Sequence, residues 1–100
     1  MIDLTRIEGF DWDDNKYELN LKDHRIDFRD APEIFQRPYL LRPSSRQGEH
    51  RLLAIGFLRD REVTAVFTMR EGKRRIISIR RARIDERQAL QDATHRLRST

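Results

Sequence analysis

The chain has 100 residues, with 21 Lys and Arg against 17 Asp and Glu, a formal net charge of +4 and a sequence pI of about 10.1. That length predicts one domain, residues 1–100, with a single modest core. The absence of cysteine excludes disulfides and thiolate metal sites. No apolar run approaches the roughly 20 residues of a membrane span, and the first residues lack the charged-then-apolar order of a signal peptide. A cytoplasmic protein with no membrane partner is expected.

The charge is uneven. Residues 1–35 are slightly acidic, whereas residues 36–83 are strongly basic, with Arg70, Lys73, Arg74, Arg75, Arg80, Arg81 and Arg83 crowded together. Such a face attracts polyanions, nucleic acid first; a solvated basic surface or an acidic protein partner is the alternative. His24, His50 and His95 show no metal-ligand spacing. Asp11, Asp13 and Asp14 read as capping residues before a cation site, so neither metal nor other cofactor is expected.

In chain order, Thr5–Asp11 predicts a short strand leading into a helix over Asp14–His24. Asp13 serves as its N-cap, and Tyr17 and Leu21 form its apolar stripe. A second short helix, Arg29–Phe35, places Ala31, Ile34 and Phe35 inward, with Pro32 in its first turn, where a missing N–H is harmless. Residues 36–50, with two prolines, two serines and a glycine, read as a long surface loop. Three strands follow, Arg51–Leu58, Glu62–Arg70 and Arg74–Arg81. The first turn between them falls at Asp60-Arg61 and the second at Arg70 to Lys73, where Gly72 can take positive φ. Val63, Ala65, Phe67 and Met69 share one face of the middle strand. In the last strand, alternation sets Ile77 and Ile79 on one face and Ile76, Ser78 and Arg80 on the other. A final helix from Asp85 to about Arg98 carries Ala89, Leu90, Ala93 and Leu97 on a narrow apolar face. The order β-α-α-β-β-β-α predicts an α+β fold. It is a small antiparallel sheet of about four strands with two N-terminal helices and one C-terminal helix.

Two constellations point to phosphate chemistry. On the first helix, Lys16, Asn20 and His24 recur at four-residue steps and so line one flank. A half-sheltered imidazole can take a proton from a ribose 2′-hydroxyl and return one to a leaving oxygen, and Lys16 can hold a phosphate oxygen. The bland alternative is a His24 that caps the negative end of the helix. The second set is Arg51, Ser78 and Arg80, because guanidinium forks match the charge that builds on non-bridging phosphate oxygens. Against it stands an edge-strand arginine that discourages aggregation. Phe10 and Trp12 alternate just before the helix; Phe10 suits core packing, while Trp12 could stack on a base.

These residues carry a resemblance. Phe10 to Phe35 reads F-x-W-D-x-x-K-x-x-x-N, then His24, then I-x-F-x-D-A-x-x-I-F. Further on come Gly48-Glu49-His50-Arg51, Ala54-Ile55-Gly56, Val66-Phe67-Thr68, the run Arg75 to Ala82, and Glu86-Arg87. Taken in order, they resemble the BrnT family of type II toxins. The resemblance implies a RelE-like sheet-and-helix endoribonuclease, neutralised in a hetero-oligomer by a BrnA-like ribbon-helix-helix antitoxin through which the complex binds its own operator DNA. Laid on that pattern, Arg51 and Arg80 stabilise the transition state of RNA cleavage, and His24 moves the proton with Lys22 as deputy. Lys16, Asn20, Trp12 and Ser78 contact RNA. Two positions depart from the pattern. The family's N-x-x-K-H-G is Asn20-Leu21-Lys22-Asp23-His24-Arg25 here, which puts Asp23 at the lysine and Arg25 at the glycine; the family's Ser/Thr before the last helix is Arg83. Lys22 projects about 100° from Asp23 on an ideal helix and replaces the lysine only if the helix end unwinds. The departure at Asp23 leaves a second expectation, a catalytically weak toxin-fold protein that acts as a co-repressor. A general RNA-binding module is the third.

Overall fold

The computed structural model describes residues 9–46 and 49–98. Strand β1, Phe10–Trp12, leads into helix α1, Asp14–His24. Asp13 caps α1, its carboxylate accepting from the Asn15 and Lys16 N–H groups. Arg25 ends the helix in the left-handed region at φ 57°, and its N–H donates to the Leu21 carbonyl. The expected second helix is two pieces, a 3-10 turn at Phe28–Asp30 capped by the Asp27 side chain and then α2, Ala31–Gln36.

Strands β2 (Leu40–Arg46), β3 (Glu49–Leu58), β4 (Arg61–Arg70) and β5 (Lys73–Arg81) follow, and α3, Ile84–Arg98, closes the order. They build a five-stranded sheet in the order β1-β5-β4-β3-β2, antiparallel except where β1 runs parallel to β5. The count is therefore five strands against the expected four. The added strand is β2, in the stretch expected to be loop, paired to β3 from Leu40↔Ile55 to Arg46↔Glu49. Its Pro43 is tolerated because β2 is an edge strand. The β3–β4 turn falls one residue earlier than expected, at Arg59-Asp60, with Arg59 at φ 56°. Of the expected first strand, Thr5–Glu8 lie outside the described residues.

Each face of the sheet has its own cover. Ala54, Val63, Ala65, Phe67, Ile76 and Ile79 pack beneath Ile26, Phe28, Ala31 and Ile34 in the main core. Full burial of the Val, Ile and Phe side chains among them contributes about 1.5–3 kcal/mol each. On the opposite face Ile55 and Ala82 meet Leu90 of α3 in a small second cluster.

One irregularity decides which residues lie where. Val66 pairs with Ser78 but Phe67 pairs with Ile76, so Ile77 is an extra residue in β5. This β-bulge shifts the alternation by one position. Ile76 therefore joins Ile79 in the main core instead of sharing a face with Ser78 and Arg80, which corrects the strict alternation expected for that strand.

Candidate functional site

Helix α3 covers only part of its face of the sheet. Beside it lies an open cleft of about 440 Å³. Leu53 of β3 and Val66 of β4, which pair across the ladder, form part of its lining. Ser44 of β2 and Arg51 of β3, also paired, line it too, as do Ser78 and Arg80 of β5 and Arg83 just before α3. Two strands, β3 and β5, thus bring Arg51, Ser78 and Arg80 into one cleft, and Arg83 adds a third guanidinium. The described residues that line it include no carboxylate and no imidazole.

Arg80 is held from behind. Its Nη1 donates to Glu86 Oε1 at 2.7 Å and its Nη2 to Oε2 at 3.0 Å, a fork-on-fork pair. The Glu86 side chain is 5% exposed and that of Arg80 18%. Thr64 Oγ1 and the Arg83 N–H also donate to Glu86 Oε1, at 3.0 and 2.8 Å. These donors, Arg80 foremost, hold the Glu86 carboxyl down at about 2 against burial, which pushes it up. The Arg83–Glu86 bond is one half of a capping box, kept although the hydroxyl half is missing at Arg83. Glu86, Thr64, Arg83 and Ser44 were not among the candidates drawn from the sequence. Two signals were available for Glu86: its spacing three residues after the helix boundary, which reads equally as an ordinary cap, and its place in the Glu86-Arg87 block of the resemblance.

The helical set does not join the cleft. Lys16, Lys22 and His24 are exposed on α1 and do not line it. The helix stays regular through His24, so Lys22 does not swing into the place of Asp23. Asn20 is 4% exposed and completes the protein's own hydrogen bonding. Its amide oxygen accepts from the Ile79 N–H at 3.0 Å, and its Nδ2 donates to the Ile79 and Ile26 carbonyls at 2.9 Å each. Asn20 thereby ties α1 to β5 and offers no polar atom for RNA. Trp12 is half-buried, stacked on Tyr17 at 6.0 Å and edge-on to Phe28 at 6.0 Å. The basic run is likewise divided. Arg74 lies over the Phe35 ring at 3.8 Å, and Arg75 pairs with Asp11 at 2.6 Å. Among the described residues no three His, Asp or Glu side chains gather to hold a metal ion.

Comparison with known proteins places this architecture. The family model of the ribonuclease toxin BrnT of type II toxin–antitoxin systems matches residues 12–86. The chain belongs to the BrnT family. It is similar to the crystal structure of the Brucella abortus ribonuclease toxin BrnT, with 27% identity and a TM-score of 0.64 over 75% of this chain and 96% of that one. No curated protein matches. Membership implies an RNA substrate and an antitoxin partner. The match runs from Trp12 to Glu86, so it includes the cleft strands as well as Glu86, where the Arg80 network ends.

Proposed function

We propose that the chain is a metal-independent endoribonuclease toxin, neutralised by a BrnA-like ribbon-helix-helix antitoxin through which the complex reaches its operator. The observation that carries this reading is the convergence of Arg51, Arg80 and Ser78 in one open cleft. The ribose 2′-oxygen attacks the adjacent phosphorus as the bond to the 5′-oxygen breaks. The products are a 2′,3′-cyclic phosphate and a free 5′-hydroxyl. Negative charge grows on the non-bridging oxygens in the transition state, and fixed guanidinium groups stabilise it more than the ground state. Ser78 positions the backbone. With no imidazole or carboxylate among the described lining residues, the 2′-hydroxyl proton passes to solvent and the leaving oxygen takes one from it. A cleft lined by three arginines repels a divalent cation, which supports metal independence.

The test is cleavage of RNA in excess EDTA by wild type, Arg80→Ala and His24→Ala. Wild type is expected to cleave, Arg80→Ala to lose about 100-fold or more in rate, and His24→Ala to keep most of the activity. Full activity in Arg80→Ala removes the cleft from the reaction, and loss of cleavage in EDTA overturns metal independence. A loss in His24→Ala as deep as in Arg80→Ala returns the imidazole to the mechanism.

A second reading, a catalytically weak co-repressor, draws on two observations. Asp23 stands where the family has a lysine, and Arg80 is already neutralised by Glu86. Induction of the chain alone in bacteria separates the two. Growth arrest with falling RNA integrity favours the nuclease; normal growth with folded protein favours the co-repressor.

A further inference from the structure

We propose that Glu86 is a positioning residue for RNA cleavage, holding the Arg80 guanidinium so that one edge of its fork is presented to the phosphate. The inference rests on the reading of the cleft as the site of phosphodiester cleavage.

An arginine beside an open cleft must give up its rotamer freedom before it can meet a phosphate in one geometry. Here that loss is taken in the folded protein. The bond pair to Glu86 uses the Nη1 and Nη2 end of the guanidinium, and Nη1 also reaches the Arg81 carbonyl at 3.3 Å. The Nε–H and the outer N–H of Nη2 lie side by side on the remaining edge. Their spacing matches two oxygens of one phosphate group.

Glu86 is itself fixed by a buried strand hydroxyl and by a backbone N–H at the start of the last helix. Thr64, fully buried and directly opposite Arg80 in the β4–β5 register, donates its hydroxyl to Oε1. The Arg83 N–H does the same from the start of α3. Strand, helix end and carboxylate thus form one rigid bracket around the arginine. A helix cap alone would need only the Arg83 bond. Burying an ion pair for stability alone brings little net gain, because desolvation offsets the attraction. The arrangement gains its purpose if the guanidinium must stand still while charge develops in front of it.

The experiment compares single-turnover and steady-state RNA cleavage by wild type, Glu86→Gln, Thr64→Val, Arg80→Ala and the Glu86→Gln/Arg80→Ala double variant, with the thermal unfolding midpoint of each. Glu86→Gln is expected to lower kcat about tenfold or more with little change in KM, as misalignment of a transition-state contact does. In the Arg80→Ala background it should cost nothing further, because Glu86 acts through that arginine. Thr64→Val keeps the ion pair and is expected to lower kcat by a smaller factor, again with KM unchanged; it carries the test if Glu86→Gln does not fold. An unchanged or raised kcat in the folded variants overturns the inference. So does a Glu86→Gln loss of equal size in both backgrounds, which marks a merely structural role. If Arg80→Ala is inactive while Glu86→Gln cleaves normally, only the positioning role falls. If Arg80→Ala cleaves like wild type, or wild type does not cleave, the cleft reading falls with it.

Discussion

Arg25 stands where the family has a glycine, and its backbone explains the preference for that residue. At φ 57° and ψ 33° it occupies the left-handed region, where a Cβ crowds the following carbonyl. Arg25→Gly is therefore expected to stabilise the protein by about 1 kcal/mol, read as a raised urea midpoint at unchanged m value. Asn20 shows a different limit of single-residue reasoning. Its spacing from Lys16 and His24 gave it a ligand role, whereas its amide binds backbone groups of Ile79 and Ile26. Helical spacing reports which flank of a helix a side chain occupies. It does not report which part of the sheet that flank will meet, and for that reason His24 and Lys16 could be grouped with each other but not placed relative to Arg51 and Arg80. Ser78 and Arg80 were legible as a pair because both lie on one strand two residues apart, and they do line one cleft.

At the scale of elements, helix α1 was legible within its true bounds because Asp13 marks its start. Strands β3 and β4 were legible because their apolar runs exceed what a loop tolerates. Strand β2 was not. Its Arg42-Pro43-Ser44-Ser45 core has no apolar alternation, and it becomes a strand by borrowing the edge of β3. The bulge at Ile77 was equally hidden, since an extra residue in a ladder leaves no mark in composition. The contact between α2 and β3 depends on Gly56. A Cβ there would stand 3.1 Å from Ile34 Cγ2 and 3.1 Å from Tyr39 Cβ. Gly56→Ala is expected to cost about 1–3 kcal/mol as overpacking, measured by urea unfolding. A wild-type midpoint would show that α2 slides freely on the sheet.

For the molecule as a whole, two carboxyls among the described residues are held well below their ordinary range and shape the response to acid. Glu86 sits near 2 against an ordinary 4.5, chiefly through its bond to Arg80, and Asp27 near 2 against 3.8, chiefly through Arg29. Both values are lower in the folded state, so the folded state binds fewer protons than the unfolded chain in this range. Their contribution is whole above about pH 4.5 and disappears as pH falls toward 2. Acid titration of stability should show a steep loss in that window and little slope from these groups between pH 5 and 7. Glu86→Gln should flatten the acid limb; an unchanged limb would remove Glu86 as its source. The placement of Ile77 has a consequence for how such chains diverge. Removing that one residue would barely alter mass or charge, and it would bring β5 back into regular step with β4 while leaving every pairing beyond it as it is. Arg80 would stay opposite Thr64 on the cleft side and Ile79 opposite Ala65 in the core. Homologues shorter by that single position between Ile76 and Ser78 are thus expected to keep this arginine on the same face, and to differ only in a straighter last strand.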